Sequence, residues 1–226
     1  MQREFVIELQ TQLKCSGFYK GEIDGIAGSE TQKALEAMLA SSKNCAIDCK
    51  NETSPASEKV YWGSKVSDTF KNRVLWIRDD LLMPKEGANW LMSCMAFETG
   101  RTFRADKKNA AGSSGTGLIQ FMRATALSMG TTVEKLAAMT AEDQLNWVYR
   151  YFKPYKGKLN TLGDVYFAIL YPKALGKPDN WVMWEQGTLS YTQNKGLDRN
   201  KDGKITRSEV LVTINSVYQE GKPYEA

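Results

Sequence analysis

The run Trp90-Leu91-Met92-Ser93-Cys94-Met95-Ala96-Phe97 contains one polar side chain and no turn-forming residue. A helix that is apolar all round has no face to offer water, so it must be buried and other elements must wrap it. Helical spacing dominates on both sides of this run. Val66, Phe70, Val74 and Ile77 share one helix face, and Pro84 closes that segment. Thr140 and Asp143 form a capping signal ahead of Leu145, Val148 and Phe152, and Thr161 to Tyr171 reads as a further buried helix. No long alternating pattern of strand period appears, so the expected fold class is mainly α.

The organisation is modular. Residues 1–42 read as a small helical unit, with Phe5, Leu9 and Leu13 at helical spacing before glycine-rich turns at Ser16-Gly17 and Asp24-Gly25. Residues 43–60 lose apolar periodicity, are rich in Ser, Asn, Lys, Pro and Glu, and read as a linker. Residues 61–226 form the larger domain.

Composition narrows the chemistry. The 226 residues include no histidine, which removes Ser-His-Asp triads, Cys-His pairs and His-ligated zinc. Any hydrolytic step then rests on carboxylates, Tyr, Lys or water. The net charge of +4 is weak and dispersed, with no basic recognition pattern, so no nucleic-acid partner is expected. No stretch approaches 18 apolar residues, so no membrane insertion is expected. Met1-Gln2-Arg3-Glu4 leads into an amphipathic segment instead of an apolar signal core, which points to synthesis in a cytoplasm without a Sec-type signal. Cys94 falls in the apolar helix, whereas Cys15–Cys45 or Cys45–Cys49 are the pairings open after export.

Glu98 ends the apolar run just before Thr99-Gly100. Cys94, Met95 and Leu91 lie on its helix face, four, three and seven residues back. A carboxyl above such a stripe loses solvation, which disfavours its anion and raises its pKa. A general acid working near neutral pH needs that property. The plainer alternative is a helix-end glutamate exposed to water.

Two resemblances add to this reading. The string Leu9-Gln10, Leu13, Gly17-Phe18-Tyr19, Gly21, Asp24-Gly25, Gly28, Thr31, Ala34 resembles the peptidoglycan-binding domain of cell-wall hydrolases, although Ala27 stands where that family usually has an aromatic. Tyr19 and Asp24 are its expected ligand contacts. Glu98-Thr99-Gly100, followed by Asn109-Ala110-Ala111-Gly112-Ser113-Ser114-Gly115-Thr116-Gly117-Leu118-Ile119-Gln120-Phe121 and Thr125-Ala126, resembles the lysozyme-like soluble lytic transglycosylases. That resemblance implies a lysozyme-like helical domain in which Glu98 acts as acid and then base on the β-1,4 bond between N-acetylmuramic acid and N-acetylglucosamine. It implies catalytic support from Gln120 and from Tyr171, and substrate contacts at Thr99, Ser114, Gly117, Leu118 and Phe121. Pro172 replaces the asparagine that usually follows the tyrosine. Lytic transglycosylation needs one carboxylate. Simple hydrolysis would call on a second, with Asp106 and then Asp164 as candidates.

Asp198-Arg199-Asn200-Lys201-Asp202-Gly203-Lys204-Ile205-Thr206-Arg207-Ser208-Glu209 fits the twelve-residue EF-hand loop. Asp198, Asn200, Asp202, the Lys204 carbonyl, Thr206 and Glu209 are the expected calcium ligands, and no organic cofactor is expected. Together these features suggest a monomeric modular phage endolysin. It would be held in the host cytoplasm until the membrane is breached and would act on peptidoglycan glycan strands. The competing class is a non-catalytic wall-binding or tail-associated structural protein with a calcium site.

Overall fold

The computed structural model describes residues 6, 7, 10, 13, 14, 18–44, 58–109 and 112–226, with backbone alone for 38–44. Cys15, Gly17, Cys45, Cys49 and most of the expected linker lie outside the described residues. The fold is mainly helical, as expected. The chain divides into two compact units, Met1–Glu58 and Lys59–Ala226.

In the first unit Val6, Ile7, Gln10, Leu13 and Lys14 are helical, and α1 spans Ser29–Asn44. Its small core holds Leu13, Tyr19 and Ala34. Gln10 is fully buried and organises the intervening turns. Its Nε2 lies 2.8 Å from Asp24 Oδ1 and 3.0 Å from Thr31 Oγ1, and its Oε1 accepts the Gly25 amide at 2.9 Å. Gly25 has φ 72°, a conformation that costs glycine no steric penalty.

In the second unit the helices are α2 (Asp68–Asp80), α3 (Gly87–Glu98), α4 (Arg123–Ser128), α5 (Val133–Ala137), α6 (Ala141–Phe152) and α7 (Leu162–Leu170). After them come strand β1 (Val182–Glu185), helix α8 (Leu189–Asn194), strand β2 (Lys204–Thr206) and helix α9 (Arg207–Glu220). The apolar run is the buried axis: α3 packs against α2, α7 and α9, and Leu91, Met92, Cys94, Met95 and Ala96 are all buried. Ser67, Thr132, Thr140, Thr161, Thr188 and Thr206 each accept an amide of the first turn of the helix that follows. Each such cap satisfies a donor that has no partner inside the helix.

The two strands are a short feature that the sequence did not announce. They pair antiparallel, with Trp184 opposite Ile205 and Glu185 opposite Lys204, and the register shifts between Val182 and Trp184. Among the described residues no helix is long and apolar enough to cross a membrane.

Candidate active site

The end of α3 fixes where Glu98 stands. Thr99 is fully buried; its hydroxyl donates to the Met95 carbonyl at 2.6 Å and accepts the Phe103 amide at 3.0 Å. Gly100, at φ 61°, turns the chain, and the Arg101 amide closes on the Ala96 carbonyl at 2.7 Å. Thr99 was expected on the substrate face. Its side chain is instead occupied by this turn, out of reach of any ligand.

Glu98 stays half-buried above Cys94 and Met95. Burial pushes its carboxyl up to about 7, and among the described residues no hydrogen bond or charge offsets that effect. Three groups feel its charge. The Tyr166 phenol of α7 is raised by burial and then by Glu98. Tyr151 of α6 is raised by burial, then by Tyr155 and Glu98. The Cys94 thiol is raised by burial and then by Glu98. The carboxyl therefore sits among two phenols and a thiol, none of them ionised near neutrality. Sequence reading missed both Tyr151 and Tyr166, because neither lies near Glu98 in the chain.

The glycine-rich block folds into a tight double turn. Thr116 bridges both Lys108 and Phe121. Gly117 has φ 78°, and a Cβ there would collide with the Gln144 amide group and the Ala105 carbonyl. Gln144, fully buried on α6, pins the block: Oε1 accepts the Leu118 amide at 2.7 Å, and Nε2 donates to Ala105 at 3.0 Å and Leu136 at 2.8 Å. Leu118 was expected to contact substrate, but its side chain is fully buried in the core. Phe121 is also buried, and its ring meets Tyr151 edge-on at 6.1 Å. It thus supports the site from behind instead of walling a groove. Ser114 Oγ accepts the Arg123 amide at 3.1 Å at the start of α4.

Gln120 was expected to offer a sugar both a donor and an acceptor. Its Nε2 is already committed to the carbonyls of Lys107 at 3.1 Å and Gly117 at 3.2 Å. Its Oε1 is buried beside Gly115, where a Cβ would come within 2.8 Å of it, and has no hydrogen-bond partner among the described residues. The donor is spent on the backbone, and the acceptor is enclosed against Gly115.

Tyr171 follows α7, with its ring 6.2 Å from Trp181 and 5.5 Å from Trp184. Among the described residues no hydrogen bond joins it to Glu98. The two second-acid candidates are engaged elsewhere. Asp106 is held by Arg104 at 2.7 Å, and Asp164 accepts the Asn160 amide at 3.2 Å and lies 3.7 Å from Arg207.

In the loop 198–209, Asn200 Oδ1 accepts the Asp202 amide at 3.0 Å and Asp202 Oδ1 accepts the Lys204 amide at 2.8 Å. Glu209 accepts from Arg199 at 3.0 Å and from the Thr206 amide at 2.8 Å and hydroxyl at 2.7 Å. Asp198 Oδ2 accepts from Tyr191 at 2.6 Å and from Gly203 at 3.1 Å, whereas Asp198 Oδ1 is buried with no hydrogen-bond partner among the described residues. Among the described residues no group of three or more His, Cys, Asp or Glu gathers as a metal centre. The Glu209 carboxylate is turned to amides instead. The orphaned Asp198 oxygen and the all-oxygen donor set nonetheless suit a hard cation.

In the first unit, Tyr19 and Asp24 belong chiefly to the scaffold. The Tyr19 hydroxyl donates to the Glu22 carbonyl at 2.9 Å, and Asp24 Oδ1 accepts from Gln10 and, at 2.9 Å, from the Ile26 amide. A cavity of about 470 Å³ lies beside Tyr19, lined also by Phe18, Lys20, Glu30 and Lys33. Residues 2–38 match the family described as Putative peptidoglycan binding domain. The chain therefore carries an N-terminal peptidoglycan-binding domain. Such a domain suggests association with the cell wall, and the Gln10 hub and Gly25 turn described above lie within the matched residues. No curated protein and no solved structure matches the chain.

Proposed function

We propose that the second unit cuts the glycan strands of peptidoglycan at the β-1,4 bond between N-acetylmuramic acid and N-acetylglucosamine. The observation that carries this reading is Glu98, a half-buried carboxyl raised to about 7 with no hydrogen-bond partner among the described residues. In its neutral form it donates that proton to the glycosidic oxygen as the bond to the muramic anomeric carbon breaks. The resulting carboxylate then takes a proton from the group that attacks this carbon. In lytic transglycosylation that group is the sugar's own 6-hydroxyl, and in hydrolysis it is water. Asp106 and Asp164 are bound to other partners, which favours the course that needs one carboxylate. The role is that of a phage endolysin, kept in the host cytoplasm and delivered to the wall when the membrane fails. The loop 198–209 would take calcium through Asp198, Asn200, Asp202, the Lys204 carbonyl, Thr206 and Glu209. Bound there, the ion would supply structural charge that fixes the start of α9.

The test is digestion of purified peptidoglycan with mass spectrometry of the products. Anhydro ends mark transglycosylation and reducing ends mark hydrolysis. Glu98→Gln should leave the fold intact and lower turnover by about a thousandfold or more. Unchanged turnover in that variant overturns the reading. A non-catalytic wall-binding role is the second reading, favoured by the family match lying in the N-terminal unit. It predicts no released muropeptides from either protein.

A further inference from the structure

Tyr171, Trp181 and Trp184 form a half-buried aromatic group that the chemistry of Glu98 does not use. Tyr171 and Trp181 are stacked, with ring planes 22° apart. Beside them a cavity of about 330 Å³ is lined by Trp184, Glu185, Thr188 and Ser190. Flat aromatic faces next to hydroxyl and carboxylate groups are what a sugar ring presents its C–H and O–H surfaces to.

This group is anchored on the same helix, α7, that a neighbour of Glu98 grips. Tyr151, which feels the Glu98 charge, donates its hydroxyl to the Ala168 carbonyl at 2.7 Å. Tyr171 lies three residues beyond Ala168, about one helical turn, and its amide bonds to Phe167. The end of α7 thus ties the aromatic group to the helix that carries Tyr166 and braces Tyr151, the two phenols that feel Glu98.

The same group is wired to the loop 198–209. Trp184 pairs with Ile205, and Glu185 with Lys204. The Arg207 amide donates to the Trp181 carbonyl at 3.0 Å, and the Gln186 amide to the Gly203 carbonyl at 2.7 Å. Tyr191 of α8 is fastened to Asp198. Asp198 is nine-tenths buried, yet its Oδ1 has no hydrogen-bond partner among the described residues. A buried, unpaired carboxylate oxygen is costly unless something positive completes it.

We propose that the loop binds a divalent cation and thereby fixes the position of the Tyr171–Trp181–Trp184 platform, on which an N-acetylated sugar ring of the glycan strand stacks. The cation completes Asp198 Oδ1 and draws Glu209 away from the Arg199 and Asn200 amides. That exchange tightens the loop, and the β1–β2 pairing passes the change to Trp181 and Trp184. The proposal rests on the glycan-strand reading for its ligand, but its first measurement does not.

The experiment has two arms on the full chain. In the first, calcium chloride is titrated into chelator-treated protein while tryptophan emission is recorded. A saturable change is expected in wild type, absent in Asp198→Asn and reduced by half or more in Trp184→Phe, with circular dichroism confirming that both variants fold. In the second, calorimetry measures a tetrasaccharide of alternating N-acetylglucosamine and N-acetylmuramic acid binding to Glu98→Gln protein. Calcium should tighten this binding about tenfold, and Trp184→Phe in the same background should remove most of that gain. No emission change together with no calcium heat overturns the cation site. Calcium binding with unchanged glycan affinity overturns the coupling. A calcium-dependent emission change with no glycan binding in any state leaves the loop–platform link standing and sinks both the sugar ligand and the glycan-strand reading.

Discussion

Gln144 Oε1 accepts the Leu118 amide at 2.7 Å, directly where a side chain on Gly117 would have to go. One buried amide on α6 thus sets the conformation of the loop that carries Gln120. Gln144→Leu removes the acceptor for Leu118 and the donors for Ala105 and Leu136, leaving buried polar groups unpaired at about 1–3 kcal/mol each. The variant should melt well below wild type. Gly117→Ala meets both the collision and a φ of 78°, and should behave alike in thermal unfolding.

The raised carboxyl has a stability signature. Between its ordinary value of 4.5 and the folded value of about 7, native Glu98 keeps a proton that the unfolded chain has lost. Stability contributed by this site is therefore intact below pH 4.5 and is lost as pH rises to 7, by about 3 kcal/mol in all. Glu98→Gln abolishes that loss. Denaturant titrations should find the variant more stable than wild type at pH 8 and no more stable at pH 4. Cleavage by the wild type should fall on the alkaline side of about pH 7 as the acid form disappears.

Thr99 separates a positioning role from a ligand-binding one. Thr99→Val deletes both hydroxyl bonds, to Met95 and Phe103, and should cost about 2 kcal/mol along with most of the turnover. Thr99→Ser retains the hydroxyl and should restore both. A serine variant as impaired as the valine variant in melting and kinetic assays would refute the positioning account.

Gln10 gives a test confined to the first unit. Gln10→Ala leaves the buried Gly25 amide without its acceptor and removes one hydrogen bond each from Asp24 and Thr31. A unit with so small a core tolerates little loss. Pull-down on purified wall material should show binding reduced about tenfold or more, while the second unit's melting transition stays in place.

The sequence disclosed what local spacing encodes. The apolar run 90–97 showed the buried axis, Thr140 and Thr161 showed helix starts, and Glu98 showed a desolvated acid. Long-range partners left no such mark. Gln144 is an ordinary polar residue until the fold brings it to Leu118, 26 positions away. Tyr151 and Tyr166 read as core aromatics, and nothing local ties them to Glu98. Conversely, Thr99, Leu118 and Phe121 were expected to face substrate because they flank the motif, but motif neighbours often build the turn that displays one residue. The strand pair escaped notice because three or four residues are too few for an alternating pattern to register.

Cys94 lies one turn beneath Glu98, shielded almost completely, with its thiol raised by that burial. Only thiolate attacks alkylating reagents, so this sulfur is silent while α3 stays wrapped. With Cys15, Cys45 and Cys49 changed to serine, the rate at which iodoacetamide modifies Cys94 becomes a clock for spontaneous opening of the helix that holds the acid. Any molecule that binds against Glu98 should slow that clock, so binders can be ranked without watching a single bond break.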